Sequence, residues 1–284
     1  MTSPKILLAA HNIRPKKQFG QNFIVDPGFA EMIVHRAGIL SEDIILEIGA
    51  GMGALTVPLA RKAKKVFAVE RDPQIIGILN TQIIAAGLTN VSIIGKDILA
   101  MDITALAKDA GEDLVVIGNL PYNISSQILV QLILSRESVS RAILMFQKEL
   151  SQRITADLGC KDYGRLTVML RYCSDIRKLI DVKASIFYPK PKVDSEILEL
   201  KFKKEIDVKA TDELFLFKVI KAGFGNRRKT LKNALTASEL NIDTATAKHA
   251  LERSGIDPIR RAETLTVEEF VKLSNTLFAI SALR

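Results

Sequence analysis

The residues best suited to do chemistry stand at positions 119–125, NLPYNIS, directly after an apolar run. The side-chain oxygen of Asn119 and the backbone carbonyl of Leu120 are two hydrogen-bond acceptors on neighbouring residues. Pro121 restricts the backbone of the residue before it and so fixes the direction of that carbonyl. Tyr122 adds a flat surface on which a ring can stack. Together these groups could grip an amine, although an isolated tyrosine here would also fit a partly buried ring that caps a sheet.

A second group of candidate residues lies in EIGAGMGA, residues 47–54. Gly49 and Gly51 let the backbone pass close to a ligand, and a following helix offers free N–H groups at its N-terminus. Glu70 ends the next predicted strand, where an acid can bind ribose hydroxyls. Gly49, Gly51 and Ala54 also fit the dinucleotide fingerprint. The pattern therefore indicates a ligand that contains ribose, without deciding which one.

Asp97 ends the third predicted strand, in GKDIL, and Ile98 follows it. The carboxylate of Asp97 is placed to accept a hydrogen bond from an exocyclic adenine amine, and Ile98 can lie against the ring. A dinucleotide enzyme would also need a pyrophosphate partner and a hydride-accepting site, and no residue cluster suggests either. On their own, Glu70 and Asp97 would also fit solvated acids at strand ends.

An alternation of short apolar strands and helices, from residue 44 onward, must position these groups. The predicted strands are DIILEIG, KVFAVE, VSIIGKD, DLVVIGN and RAILMFQ, and the predicted helices cover residues 55–62, 73–86 and 125–135. Near-continuous Val, Ile and Leu strands indicate a parallel sheet covered on both faces. The sequence therefore predicts a doubly wound, mostly parallel, Rossmann-like α/β fold, with its ligand beyond the carboxyl ends of the strands.

The composition changes after the predicted strands, where Lys201, Lys203, Lys204 and Glu205 follow one another closely. Beyond them only helical patterns occur, over residues 211–223, 227–237, 244–254 and 266–280. We therefore predict two domains. Residues 1–204 form the α/β domain, with a basic leader that includes Arg14, Lys16 and Lys17, and residues 205–284 form a small all-helical domain.

The totals limit the classes of partner and compartment. A formal net charge of +8 over 284 residues favours a polyanionic partner. No apolar run approaches the ~18 residues of a membrane span, and the run Ile6–Ala10 is too short for a signal peptide. The two cysteines and three histidines are scattered, so neither a disulfide framework nor a metal site is suggested. We expect a cytoplasmic protein.

Nine motifs together resemble a known family. They are GQNFIVD, EIGAGMG, VERD, KDIL, NLPYNIS, FQKE, YGRLTVM, FYPKPKVDS and RRKTLKNAL, and they extend over almost the whole chain. They resemble the small-subunit ribosomal RNA adenine dimethyltransferases of the kasugamycin-sensitivity type. Members of that family use S-adenosylmethionine and modify two adjacent adenosines near the 3′ end of small-subunit (16S) ribosomal RNA. The resemblance thus implies an enzyme that acts in ribosome biogenesis.

The resemblance also implies roles for matching residues. Cofactor contacts are expected from Asn22, the backbone at Ile24, Gly49, Glu70, Asp97 and Asn119, to which the reasoning above adds Gly51 and Ile98. Ile24 stands where the family more often has leucine, a difference of little consequence for a backbone contact. Tyr122 and Phe187 would hold the target base.

On that reading, the chemistry of NLPY follows from its parts. An adenine amine is a poor nucleophile because its lone pair is delocalised into the ring. If Asn119 and Leu120 each accept one N–H, the nitrogen turns toward a tetrahedral shape whose lone pair faces the sulfonium methyl. No general base is needed before attack, and orientation supplies most of the acceleration. The predicted catalytic residues are Asn119, Leu120, Pro121, Tyr122 and Phe187.

Two basic segments are candidates for RNA contact. In FYPKPKVDS, prolines stiffen a loop in which Phe187 precedes two lysines, as a stacked base beside phosphates would require, although an ordinary proline turn has the same pattern. Residues 227–229 place cations at the start of a predicted helix, where they oppose its dipole unless phosphate offsets them. The predicted RNA-binding residues are Lys190, Lys192, Arg227, Arg228 and Lys229.

Three other functions stay open at this point. One is a large-subunit ribosomal RNA adenine dimethyltransferase of the antibiotic-resistance type, which shares the core motifs. Another is a ribosome-assembly factor that binds immature small subunits and whose methylation is secondary. The third is a nicotinamide-linked oxidoreductase. We expect a monomer with small-subunit ribosomal RNA, or the immature subunit, as its partner.

Overall fold

The computed structural model describes residues 3–281, the side chain of Lys17 excepted, and divides into two compact units. The first unit comprises residues up to Ser151 and Ile176–Phe202, and the second comprises Gln152–Asp175 and the chain from Lys203 onward. This division into two units differs from the predicted domains, 1–204 and 205–284, because residues 152–175 group with the helical unit. None of the described helices is long and apolar enough to span a bilayer.

The first unit is built on a twisted sheet. Its strands are β1 (Phe23–Ile24), β2 (Ile44–Ile48), β3 (Lys65–Val69), β4 (Val91–Ile94), β5 (Leu114–Asn119), β6 (Val139–Gln147), β7 (Ser174–Val182), β8 (Phe187–Tyr188) and β9 (Ser195–Phe202). Among the described residues seven strands form one sheet in the order β4-β3-β2-β5-β6-β9-β7. β2 through β6 pair in parallel, and β9 pairs antiparallel to β6. The predicted doubly wound, mostly parallel sheet is therefore confirmed.

Helices cover this sheet because apolar residues recur along one side of each. They are α1 (Pro4–Ala10), α2 (Pro27–Arg36), α3 (Thr56–Ala60), α4 (Pro73–Ala85), α5 (Ile103–Ala110) and α6 (Ser125–Leu134). The starts of α2, α4 and α5 are each fixed by an aspartate whose side chain accepts a backbone N–H, namely Asp26, Asp72 and Asp102. The aliphatic side chains of the central strands form the core between sheet and helices.

The order of the strands creates a switch point. The chain builds β2, β3 and β4 outward in one direction, then returns to place β5 on the other side of β2. At such a point the loops after adjacent parallel strands diverge, which leaves a crevice beyond their carboxyl ends. The loops here begin at Gly49 and Leu120, the two motifs that the sequence marked as chemical.

The second unit is helical. Its elements are α8 (Arg165–Cys173), α9 (Glu213–Phe224), α10 (Leu231–Thr236), α11 (Thr244–Arg253) and α12 (Val267–Ser281), while α7 (Lys148–Thr155) runs across the division of the chain. Tyr163, fully buried, explains why residues 152–175 belong here. Its hydroxyl donates to the Leu265 carbonyl at 3.0 Å, and its ring packs against Phe224. Burial raises the pKa of Tyr163 to about 12.

The structure corrects several sequence predictions of local structure. The leader is not wholly irregular, since α1 occupies Pro4–Ala10. α5 and β7 were not predicted, and β4 ends at Ile94, three residues before Asp97. Residues 227–229 lie in the turn before α10 rather than in its first turn, because the helix begins at Leu231.

Candidate active site

A cavity in the first unit opens at the carboxyl ends of β2, β3 and β5. It encloses about 1120 Å³ of empty space, its open mouth included. We call one part the glycine-turn end, formed by Gly49, Gly51, Glu70, Asp97 and Ile98, and the opposite part the NLPY end, formed by Asn119, Pro121, Asn123 and Ile124. Asn22 and Ile24 also line the cavity, so it brings together all eight predicted cofactor-binding residues.

Glycine is required in the turn after β2. The backbone φ angles of Gly49 and Gly51 are +75° and +55°, values that side chains with a Cβ rarely adopt. A Cβ on Gly49 would also lie 3.2 Å from the carbonyl oxygen of Asn119. The amides of Gly49 and Ala50 both donate to the Val69 carbonyl, which anchors the turn to β3. The two glycines thus let the turn approach the tip of β5.

Glu70, directly after β3, is held by backbone amides. One oxygen accepts from the Gly51 N–H at 2.9 Å, and the other accepts from the N–H groups of Arg71 and Asp72 at 2.8 and 2.9 Å. Burial raises the pKa of Glu70, while these amides oppose that effect. The carboxylate is therefore oriented in advance at the position where ribose hydroxyls would be bound.

Asp97 and Ile98 close the glycine-turn end. One Asp97 oxygen accepts the Leu99 N–H at 3.1 Å, which starts a single 3₁₀ turn at Ile98–Ala100. The other oxygen pairs with Arg71 at 2.9 Å, so an adenine amine would have to share that carboxylate with an exposed cation. The side chain of Ile98 is buried at the cavity wall, as contact with a ring requires.

Glu47 lies at the floor of the cavity, and the sequence reasoning missed it. It is 1% exposed on β2, and its Oε2 has no hydrogen-bond partner among the described residues. Burial raises the pKa of Glu47 to about 8, and the nearby Glu70 carboxylate adds to the rise. Its position inside a strand that otherwise reads as apolar was the available signal.

At the NLPY end, Asn119 is oriented by a residue far away in sequence. Its Nδ2 donates to the carbonyl of Asn22 at 2.8 Å. Its Oδ1 accepts no hydrogen bond from any group that the structure describes. The side chain of Leu120 is buried, so its backbone carbonyl is what the next turn can present. The Asn119 amide is thus fixed with one free acceptor.

Gly118 allows β5 to reach this position. A Cβ there would lie 2.5 Å from the carbonyl oxygen of Ile48 on the neighbouring strand β2. Only glycine fits, because backbone atoms cannot move aside without disturbing the pairing. The sequence analysis passed over Gly118, although an isolated glycine inside a strand signals close backbone approach.

A segment that we call the strap, residues 16–24, passes beside both ends of the cavity. Lys16 Nζ and Gln21 Nε2 donate to the two carboxylate oxygens of Asp72, each at 2.9 Å. A Cβ on Gly20 would lie 3.3 Å from the side chain of Pro121, so the strap runs against NLPY. The motif GQNF therefore forms part of the cavity wall, which places Asn22 beside Asn119.

Tyr122 is half-buried and does not line the cavity. Its hydroxyl shares a hydrogen bond of 3.0 Å with Ser195 Oγ at the start of β9. Burial raises the pKa of this phenol. The ring is thereby fixed at both edges, by the NLPY turn and by a serine that the sequence analysis did not single out.

Phe187, predicted to hold the target base, lies in the core of the first unit. It is only 3% exposed, because β8 pairs with β1 and places it opposite Ile24. Its contact with a base stays a prediction. Lys190 and Lys192, two and four residues beyond Tyr188, are exposed.

The basic residues 227–229 lie in the second unit. Arg227 donates to the Tyr163 carbonyl, so part of its role is structural. Arg228 and Lys229 are exposed, and their side chains have no hydrogen bond or ion pair with any group that the structure describes. No group of His, Cys, Asp or Glu residues suited to a metal occurs among the described residues.

The cavity fits an adenosine-containing methyl donor. A carboxylate with preset orientation follows β3, an acceptor and an apolar side chain follow β4, and the glycine turn leaves room for backbone approach. Binding of the donor at the glycine-turn end does not account for the Asn119 oxygen at the NLPY end, which has no hydrogen-bond partner among the described residues. That oxygen is available as an acceptor, because no described group of the protein donates to it.

Comparison with known proteins gives independent evidence about the family. A family model described as ribosomal RNA adenine dimethylase matches residues 12–278. A "Ribosomal RNA small subunit methyltransferase A" of Desulforapulum autotrophicum is 49% identical over 99% of this chain and 98% of that protein. A protein of the same name from Magnetococcus marinus is 42% identical over 98% of this chain and 97% of its own length.

Solved structures agree with the fold. A dimethyladenosine transferase from Plasmodium falciparum superposes with a TM-score of 0.75 at 29% identity, covering 88% of this chain and 95% of that one. The 23S rRNA methyltransferase ErmE superposes with a TM-score of 0.65 at 23% identity, covering 90% of this chain and 100% of its own. The second likeness concerns the fold alone.

Proposed function

The chain belongs to the ribosomal RNA adenine dimethylase family, and from that premise we propose that its NLPY end dimethylates two adjacent adenosines of small-subunit ribosomal RNA. The resemblance drawn from the nine motifs is thereby confirmed. The protein is an enzyme, its methyl donor is S-adenosylmethionine, and its substrate is RNA. The nicotinamide-linked alternative has no support, because the family and its structural neighbours are methyltransferases.

The single observation that carries the proposed mechanism is the orientation of the Asn119 amide. Because Nδ2 is bound to the Asn22 carbonyl, Oδ1 is on the opposite side of the amide, and Asn119 and Pro121 both line the cavity. In the first methylation Oδ1 accepts one N–H of the target amine, and the Leu120 carbonyl accepts the other. In the second methylation the amine has one N–H left, which one of these two acceptors holds. The nitrogen lone pair then points away from both acceptors. When bound, S-adenosylmethionine supplies an electrophilic methyl group to that lone pair.

The remaining residues orient the two substrates. Glu70 binds the ribose hydroxyls of the donor, Asp97 and Ile98 hold its adenine, and Gly49 and Gly51 let the backbone approach it. Tyr122, fixed by Ser195, supports the target base. No side chain needs to remove a proton before attack, since the amine becomes acidic only as the methyl is transferred. Positioning of this kind is worth roughly 7 to 11 kcal/mol in favourable cases.

Small-subunit RNA is the proposed target because the two relatives above are named small-subunit methyltransferases and match this chain over nearly their whole length. The likeness to ErmE, at 23% identity, supports no statement about a large-subunit substrate. We assign RNA contacts to the exposed cations Lys190, Lys192, Arg228 and Lys229, with Arg227 bracing the turn, and a positioning role to the helical residues 205–284. We further propose that the protein acts as a monomer in the cytoplasm, on the immature small subunit.

The test is a methylation assay on small subunits that lack the modification, read by mass spectrometry of dimethyladenosine. Asn119→Ala removes the free acceptor and is expected to lower the methyl-transfer rate roughly 10²-fold to 10³-fold, as for other preorganised hydrogen-bonding groups. Asn80→Ala is the matched control, because Asn80 is exposed on α4 and outside the cavity. Binding of the subunit is expected to stay at the parent level in both variants.

Two results would contradict the proposal. One is parent-level dimethylation by Asn119→Ala, and the other is dimethyladenosine found in large-subunit RNA alone. If Asn119→Ala retained its hold on immature subunits and also restored their assembly in cells that lack the parent protein, the assembly-factor function would dominate.

A further inference from the structure

Asp72 is a buried carboxylate that the proposed mechanism does not use. Its side chain is 0% exposed, and it caps α4 by accepting the Gln74 N–H. It also receives Lys16 Nζ on one oxygen and Gln21 Nε2 on the other, each at 2.9 Å. A helix cap needs one acceptor, so the two contacts from the strap are additional. These two contacts attach the strap to Asp72.

The contacts around Asp72 also shape the strap internally. The Lys16 N–H donates to Gln21 Oε1 at 2.7 Å, which closes residues 16–21 into a loop on the carboxylate. Asn22 Nδ2 then donates to the Gly20 carbonyl at 3.1 Å, which tightens the chain just beyond. The orientation of the Asn22 carbonyl therefore depends on a loop whose anchor is Asp72.

The Asn22 carbonyl is the group that binds Asn119 Nδ2. A primary amide can turn over by 180°, which would exchange its donor and its acceptor. With the carbonyl in place, only one orientation makes a hydrogen bond on the strap side and leaves an acceptor on the other. If the carbonyl moved away, the amide would lose the contact that selects between the two orientations.

The far end of the strap is fixed separately. β1 pairs with β8, and the ring of Phe23 lies against Gly51, where a Cβ would be 3.3 Å away. Loosening the Asp72 end would thus leave the strap attached while freeing the residues beside Asn119. An experiment can therefore distinguish loss of the fold from loss of the orientation of the Asn119 amide.

We propose that Asp72, with Lys16 and Gln21, is a positioning residue for methyl transfer, acting through the Asn22 carbonyl to hold the Asn119 amide with its oxygen toward the target amine. The inference rests on the proposed function. It differs from a role in holding the donor, which the strap could also have because it lines the cavity. A donor-binding role disappears when the donor saturates the enzyme, whereas a positioning role does not.

The first experiment measures single-turnover methyl transfer with saturating S-adenosylmethionine and saturating unmethylated small subunits. The double variant Lys16→Met/Gln21→Met removes the strap-side contacts, and Asp72→Asn keeps a good helix cap while removing the charge. Both are expected to lose on the order of 10-fold in rate, as small displacements at reacting groups do. Asp102→Asn is the matched control, since Asp102 caps α5 and does not line the cavity. Full recovery of the rate at saturating donor overturns the inference.

The second experiment is a double-mutant cycle with Asn119→Ala. If the strap acts through Asn119, Lys16→Met/Gln21→Met lowers the single-turnover rate of the Asn119→Ala enzyme by less than twofold, because the amide it orients is gone. Additive losses overturn the inference and leave the proposed function intact. A parent-level rate for Asn119→Ala alone overturns the proposed function and the inference with it. Circular dichroism and unfolding of each variant confirm that the rates compare folded proteins.

Discussion

At the glycine-turn end of the cavity, the carboxylate of Glu70 accepts hydrogen bonds from the backbone amides of Gly51, Arg71 and Asp72. At the NLPY end, the Asn119 amide is held by a carbonyl 97 residues earlier in the chain. The first arrangement satisfies both oxygens of the carboxylate, one with the next two amides of the chain and the other with an amide 19 residues earlier, in the turn after β2. The second satisfies one side of the amide and leaves the other free. The binding end is thus built mostly from residues near one another in sequence, whereas the reacting end depends on a more distant segment.

This difference explains where chemistry occurs. The backbone amides around Glu70 hold its carboxylate in one orientation, which suits a group that binds a ligand in one place. Asn119 instead keeps an acceptor that no described group of the protein occupies, at the wall of the cavity. In the proposed mechanism the substrate amine provides the donor for this oxygen.

Gly118→Ala is the strongest way to break the comparison, because Gly118 joins the two ends. The new Cβ would stand 2.5 Å from the Ile48 carbonyl oxygen, so β2 and β5 would have to separate. We expect a loss of about 4 kcal/mol or more in the free energy of unfolding. Urea unfolding measures it. Gly77→Ala is the control, because a Cβ there has open space in α4 and alanine favours helix.

An unfolding midpoint for Gly118→Ala within error of the parent would show that the two strands tolerate separation. The glycine turn and the tip of β5 would then be independent structures rather than parts of one cavity.

Glu47, at the floor of the cavity, allows a test of the comparison through the pH dependence of the free energy of unfolding. Its pKa is raised from 4.5 to about 8 in the folded protein, so the folded state binds one more proton than the unfolded state between those values. Stability is therefore present in full at low pH and falls as pH rises toward 8, by at most roughly 1.4 kcal/mol per pH unit. Glu47→Gln removes the titration. We expect its unfolding free energy to exceed that of the parent increasingly from pH 5 to pH 8.

Urea unfolding at several pH values, with the exposed Glu31→Gln as control, tests this expectation. A constant difference between parent and Glu47→Gln across that range would mean that Glu47 is ionised in the fold and held by a partner.

The features that the sequence predicted, and those that it did not, differ in the same way as the two ends of the cavity. Gly49, Gly51, Glu70 and Asp97 were predicted from local spacing, and the structure gathers them at one end of the cavity. The parallel strands were predicted from their apolar runs. α5 was not predicted, because its run of eight residues, Ile103–Ala110, buries only Ile103 and Ala107 and so has a short apolar pattern.

What escaped prediction depends on distant partners. Phe187 carried a motif that suits a stacking ring, but pairing of β8 with β1 places it in the core. Asp72 was not predicted to have a role, because nothing in the local sequence shows that Lys16 and Gln21 reach it. Ser195 likewise has no local signal for its contact with Tyr122. Motifs reveal which residues belong to a site, and tertiary contacts decide what each one does.

Ser195→Ala tests the same contrast with the smallest expected effect. The substitution removes the 3.0 Å hydrogen bond that holds the Tyr122 hydroxyl, while the ring and the NLPY turn remain. A neutral hydrogen bond contributes about 0.5 to 1.5 kcal/mol, so we expect kcat/KM for the RNA substrate to fall about threefold to tenfold. The affinity for S-adenosylmethionine is expected not to change, because neither residue lines the cavity.

Tyr122→Phe is the matched variant, since it removes the same hydrogen bond from the other side. If the bond exists to hold the ring, both single variants and their combination lose the same factor, because each removes one shared interaction. A larger loss in Ser195→Ala than in Tyr122→Phe would assign the serine another partner at the start of β9. An unchanged kcat/KM in both would mean that the NLPY turn alone holds the ring, so that even the reacting end would owe its order to local structure.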